Sequence, residues 1–118
     1  MATRFLGKGV VGIDLCGDPA AGSISSLSAF TPVFQKARAL GLGVTVHFAE
    51  AECSGTDAEL QLLLSWQPDR LGHVICVSDT MKQEIKKKGG LGLELCLSCN
   101  VHAGMVSGGF EGQYVKFI

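Results

Sequence analysis

Four short apolar runs recur along the chain, with room for a helix between each pair, and every run ends in residues able to do chemistry. The first ends Asp14-Leu15-Cys16-Gly17-Asp18 and the second His47-Phe48-Ala49-Glu50. The third ends Arg70-Leu71-Gly72-His73 and the fourth Ser98-Cys99-Asn100. Short apolar runs bounded by turn residues suit buried strands. Strands alternating with helices make parallel β/α units, which gather reactive side chains at the carboxyl ends of the strands. The pattern therefore predicts one sheet edge that brings two histidines and two acids together.

The elements follow from local chemistry. Gly9 to Leu15 is the first expected strand, and a polar, Gly-rich loop runs from Cys16 to Ser28. Thr31-Pro32 looks like an N-cap followed by proline in the first helical turn. Val33, Ala37 and Leu40 recur at helical spacing, and Gly41 supplies the stop. Val44 to Phe48 is the second strand. Thr56 with Glu59 is a capping box, opening a helix with Leu60, Leu63 and Leu64 on one face. Arg70 to Val77 is the third strand. Ser78 caps a helix through Lys88, where the run Lys86-Lys87-Lys88 suits the helix dipole. Leu91 to Leu97 is the fourth strand, and Tyr114 to Ile118 is either a fifth short strand or a frayed tail. The expected fold is α/β with about four parallel β/α units. Four such strands form either a small open sheet or half of a (β/α)8 barrel, which takes ~250 residues.

The length of 118 residues suits one domain, and the net charge of −1 gives no basis for binding nucleic acid or a membrane surface through bulk charge. No apolar run approaches the ~20 residues needed to span a bilayer, and Met1 to Val11 makes a poor signal peptide. Five cysteines, an odd number, fit free thiols in the cytoplasm.

His47 stands where a strand becomes a loop, and there a neutral ring nitrogen can face a metal. Glu50 reaches the same pocket. Singly, each is also compatible with an exposed or structural role, as is His73 with that of a core histidine. Gly72 lets substrate or backbone come close to His73. Asp14 lies in an apolar strand, where an unpaired carboxylate is costly. Gly17 offers bare backbone to a ligand or simply makes a turn. Cys96-Leu97-Ser98-Cys99 is a C-x-x-C with its first cysteine expected inside a strand, whereas redox pairs open a helix, so core cysteines are the expectation. The cytidine-type zinc deaminase signature, H-x-E followed by P-C-x-x-C, fails because His47 and Glu50 are separated by two residues and Leu95 precedes Cys96.

Taken together, four segments resemble the adenosine deaminase family of metal-dependent aminohydrolases. They are Val10 to Asp18, Val46 to Glu50, Asp69 to His73 and Leu93 to Asn100, in matching order and separation. Asp18-Pro19 and Leu95-Cys96-Leu97 look closest to the adenosine deaminase-like branch, associated with N6-methyl-AMP. The resemblance implies a (β/α)8 barrel of which residues 1–101 supply strands four to seven, with 102–118 a divergent tail. It implies that His47 is a zinc ligand, that Glu50 protonates the purine ring nitrogen, and that His73 orients the attacking water and shuttles its proton. Gly17 would offer its backbone to the purine and Asp14 would support that end of the pocket. The family's first strand carries an H-x-H pair of zinc ligands and its eighth an Asp-Asp pair, and neither pair occurs in this sequence. The expectations are thus deaminase lineage in a truncated, spliced or incompletely predicted chain, with zinc held weakly or not at all. Two rivals stand beside it. One is a non-catalytic half-barrel that self-associates through unpaired sheet edges or binds nucleotide weakly. The other is a small doubly wound sheet binding a phosphorylated ligand.

Overall fold

The computed structural model describes residues 2–21 and 23–106, so the expected strand at Tyr114 to Ile118 and most of the tail lie outside the described residues. Four parallel strands form one sheet in the order β1-β2-β3-β4: β1 Gly12–Leu15, β2 Gly43–Phe48, β3 Arg70–His73 and β4 Gly92–Glu94. Among the described residues five α-helices accompany them: α1 Ile24–Ser28, α2 Thr31–Ala39, α3 Asp57–Ser65, α4 Asp79–Lys88 and α5 Leu97–His102. The order never reverses. With right-handed crossovers, a monotonic order sends every connecting helix to the same side of the sheet. A doubly wound sheet needs a reversal to create its ligand crevice. The described sheet has none, so these are consecutive units of the barrel kind.

Register separates the two faces. Asp14 pairs with Thr45, Arg70 with Thr45, and Gly72 with both His47 and Glu94. Partners share a face, so Asp14, Thr45, His47, Arg70 and Glu94 stand together on one side. Val44, Val46, Phe48 and Leu71 point the other way into a core with Phe34 and Ala37 of α2, Leu60, Leu63 and Leu64 of α3, and Met81 and Ile85 of α4. The bare face is polar, and Arg70 and Glu94 pair across it at 3.2 Å.

Several local expectations are corrected. Thr31 is the first residue of α2 and Phe30 is its N-cap. The Thr31 hydroxyl is engaged elsewhere, accepting from the Trp66 indole N–H at 3.0 Å. The buried stripe of α2 is Phe34 and Ala37, while Val33 and Leu40 are exposed. Phe34 stacks on Trp66 with ring centroids 4.4 Å apart. Part of the loop before α2 forms α1, capped by the Ser23 hydroxyl, which accepts from the Ser26 amide. The first strand is shorter than expected, starting at Gly12.

The third strand stops at His73, not Val77. His73 and Val74 have φ of 62° and 58°. The amides beyond fold back onto the end of β2, with Val74 N–H donating to the Phe48 carbonyl at 2.9 Å and Ile75 and Cys76 both donating to the Ala49 carbonyl. Gly55 seals this junction, since a Cβ there would lie 2.5 Å from the Cys76 carbonyl oxygen. The fourth strand ends at Glu94, and Cys96 is the N-cap of α5. Ser78 and Thr56 cap α4 and α3 as expected, and Lys88 Nζ donates to the Leu64 carbonyl at the end of α3.

Asp69 ties three elements together. Its carboxylate accepts from the Val44 amide at 2.8 Å and pairs with Arg38 at 2.6 Å, while its backbone bonds Val44 and Gly92. The Val44 hydrogen bond holds its carboxyl below the usual range; burial opposes this, and Arg38 adds to the lowering. A depressed pKa stabilises the fold above the unfolded-state value of ~3.9 and loses that contribution as pH falls through the folded value. Denaturant midpoints followed from pH 7 downward are expected to drop at acid pH in the wild type and to drop less in Asp69→Asn. Trp66→Ala empties a fully buried site and is expected to cost about 3–5 kcal/mol, measured by urea unfolding followed by circular dichroism.

Candidate active site

The carboxyl edge of the sheet brings the expected residues together. His47 is the inward-facing residue near the end of β2, and the Ala49 backbone turns left-handed just after it, with φ 49°. That turn starts the loop that carries Glu50 back over the strand end. Strict alternation would send His73 toward the helices, because it pairs with Phe48. Its left-handed backbone ends the alternation, and its ring meets the bare-face residues.

The result is a compact cluster. His73 Nε2 lies 3.3 Å from His47 Nδ1 and 3.5 Å from Glu50 Oε1. His47 Nδ1 lies 3.7 Å from Glu50 Oε2, and its Nε2 lies 3.5 Å from Asp14 Oδ2. The His73 side chain is 3% exposed, Glu50 14%, His47 31% and Asp14 46%. Asp14 is therefore not a buried structural acid, although it stands in an apolar strand. Among the described residues strand β1 is an edge with its inner face uncovered, so water solvates the carboxylate. Asp14 instead faces the outer nitrogen of His47, the place of a carboxylate that orients a metal-binding imidazole.

His47, Glu50 and His73 could together hold a metal ion, since one ligand atom from each lies within 4.8 Å of the others. The two imidazole nitrogens are 3.3 Å apart, and each has one of the two Glu50 oxygens within 3.5 to 3.7 Å. Two imidazoles and a carboxylate are a donor set that zinc accepts. The residues present thus fit a metal: His47 stands as the expected ligand, with Glu50 and His73 close enough to act on a group bound beside it.

A cavity of about 300 Å³ opens beside the cluster. Gly17, Asp18, Leu27 and Phe30 line it together with His47 and Glu50. Gly17 has nothing within 4 Å of where a Cβ would be, so its backbone is open to the cavity. A Cβ at Gly72 would make only ordinary contact with His47, so no neighbouring backbone requires that glycine. A larger hollow of about 890 Å³ lies at the amino edge and contains none of His47, Glu50 or His73.

One residue was missed at the site, and another, Asn100, was expected at this edge without a role. Glu59 lines the cavity, and partial burial raises its pKa. The capping-box pattern had accounted for it, and its amide does donate to the Thr56 hydroxyl. Asn100 is fully buried, with Oδ1 2.8 Å from His73 Nδ1. Its position after an apolar run was its only signal. The cysteines stand apart from this cluster. Cys96 and Cys99 open α5, half-buried and exposed respectively, and are not core residues. Burial, then Glu52 and Cys53, pushes the Cys76 thiol up, which disfavours a thiolate there.

No helix among the described residues is long and apolar enough to cross a membrane. A family model described as adenosine deaminase matches residues 1–114. The chain is 38% identical over 99 residues to N6-Methyl-AMP deaminase-L of Xenopus laevis, which covers 83% of this chain and 27% of that protein. It is 34% identical over 114 residues to N6-Methyl-AMP deaminase of Danio rerio, covering 92% and 31%. Against adenosine deaminase of Serratia proteamaculans it is 32% identical over 111 residues, covering 93% and 32%. The chain thus spans about a quarter to a third of the length of these relatives. Parallel β/α order, the strand-end cluster and the match over nearly the whole sequence agree: the chain belongs to the adenosine deaminase family.

Proposed function

We propose that this chain contributes the acid–base half of a zinc-dependent site that hydrolytically removes the 6-amino or 6-methylamino group of an adenine nucleoside or nucleotide. The observation that carries it is the His47–Glu50–His73 cluster beside a cavity of about 300 Å³, in a chain of this family. Relatives named as N6-methyl-AMP deaminases and an adenosine deaminase support the substrate class, and an N6-substituted AMP is the first substrate to try. Five free cysteines suit a reducing compartment such as the cytoplasm.

His47 would hold zinc, backed by Asp14, with further ligands supplied from outside the chain. When bound, zinc lowers the pKa of water toward ~7 and so makes it nucleophilic at neutral pH. His73 accepts the proton that the water releases and passes it to the departing amine. Glu50 delivers its proton to the purine ring nitrogen as the carbon bearing the amine is attacked, neutralising charge that develops there, and takes back the proton left on the added oxygen as the amine departs. Gly17 presents its backbone to the purine, and the apolar wall of Leu27 and Phe30 shields the base from bulk water. Water is consumed, and ammonia or methylamine leaves.

A chimera in which this chain replaces the matching segment of the Danio rerio relative tests these roles. Glu50→Gln is expected to lower kcat by about 10²–10⁴-fold with zinc retained. His47→Ala should lose zinc and activity together, and His73→Ala should lose rate with little change in zinc. Near-normal turnover of Glu50→Gln would overturn the assignment.

The second reading, a non-catalytic half-barrel, draws on the open sheet. Among the described residues, strands β1 and β4 are unpaired edges, and Val11 beside β1 is 82% exposed. Unpaired edges template pairing with another chain. The bare face is polar, so association would rest on the edges alone. Sedimentation velocity of the chain alone is expected to show dimers or larger species, and a compact monomer at all concentrations would count against edge pairing.

A further inference from the structure

The geometry points to Asn100 as the positioning residue that selects the tautomer of His73. Asn100 is 0% exposed, and its Oδ1 lies 2.8 Å from His73 Nδ1. An amide carbonyl oxygen can only accept a hydrogen bond, so Nδ1 must carry the hydrogen. In the neutral ring, the lone pair then sits on Nε2 and accepts from the His47 Nδ1–H at 3.3 Å, with Glu50 Oε1 3.5 Å away. Neutral histidine in water favours the opposite form, with hydrogen on Nε2. Asn100 therefore turns the ring against its intrinsic preference.

The fold holds Asn100 firmly for this task. Its backbone N–H donates to the Cys96 carbonyl at 2.9 Å. Its carbonyl accepts from the Met105 amide at 3.0 Å, and the Gly104 amide bonds the Val101 carbonyl. With Gly104 at φ 65°, these two bonds form a Schellman closure at the end of α5. The short helix is thus pinned at both ends around one buried side chain. His73 is pinned as well, since its left-handed backbone leaves Val74 N–H bonded to the Phe48 carbonyl. A lone pair on Nε2 is what a residue needs to take a proton from water. This catalytic meaning rests on the deaminase reading, whereas the tautomer itself does not.

The test is nitrogen NMR of the ¹⁵N-histidine-labelled chain at a pH above the histidine range, about 8. His47→Gln and His102→Gln identify the His73 signals. A pyrrole-type Nδ1 and a pyridine-type Nε2 are expected for His73. Asn100→Asp keeps an acceptor oxygen of the same shape and should keep this pattern, whereas Asn100→Ala should move the hydrogen to Nε2. A pyridine-type Nδ1 in the wild type would overturn the inference, because the amide would then be donating. An unchanged pattern in a folded Asn100→Ala would overturn it too. Should Asn100→Ala fail to fold, the wild-type and Asn100→Asp spectra decide. In the chimera, Asn100→Ala should lower kcat by about 10–100-fold with KM little changed, and Asn100→Asp should lower it less. The expected tautomer in a chimera without deaminase activity would overturn the functional reading alone. Activity with the opposite tautomer would overturn only this inference.

Discussion

The parallel register of β2 with its two neighbours is the constraint on which the rest of the molecule depends. It puts Val44, Val46 and Phe48 under the helices and leaves Thr45 and His47 on the open face. Strand side chains alternate with a period of two, so a slip of one residue would bury His47 and expose Phe48. Burial of the apolar set on one side thus fixes the chemical set on the other. Asp69 reinforces the register from the amino edge by holding the Val44 amide and Arg38 together.

Strain at the carboxyl edge is the second organising feature. Ala49, His73 and Val74 all have φ between 49° and 62°. Such conformations cost on the order of 1–3 kcal/mol each for residues with side chains, and they are least expected for a β-branched residue such as Val74. The carbonyls of Phe48 and Ala49 offset this by accepting three amides from the segment after β3. The strain has a consequence for chemistry: it releases His73 from the alternation that would have pointed it into the core. Two strands that end in the same stitched junction then present His47, Glu50 and His73 to one cavity.

Much of this was legible in the chain. The order of strands and helices, the caps at Thr56 and Ser78, and the identity of the strand-end residues all came from local patterns. Other expectations failed for non-local reasons. Thr31 looked like an N-cap, but Trp66, 35 residues away, takes its hydroxyl. Val74 to Val77 have strand composition, yet their amides find better partners at the end of β2. Asp14 stands in an apolar strand, yet among the described residues that strand is an edge with an uncovered face, which leaves the carboxylate in water. The C-x-x-C looked like part of a strand, although the chain turns into α5 at Cys96.

The sequence by itself determined which residues stand at the carboxyl ends of the strands. That follows from composition and spacing within each unit, where hydrophobic period and capping chemistry act over a few positions. Only the tertiary structure decided which atoms meet. The approach of His73 to His47 and Glu50 depends on a backbone torsion that nothing in Leu71-Gly72-His73 requires. The seat of Asn100 against His73 spans 27 residues and depends on a helix closure at Gly104. Such contacts arise when separate units pack, and a one-dimensional pattern carries no record of the angles at which they do so.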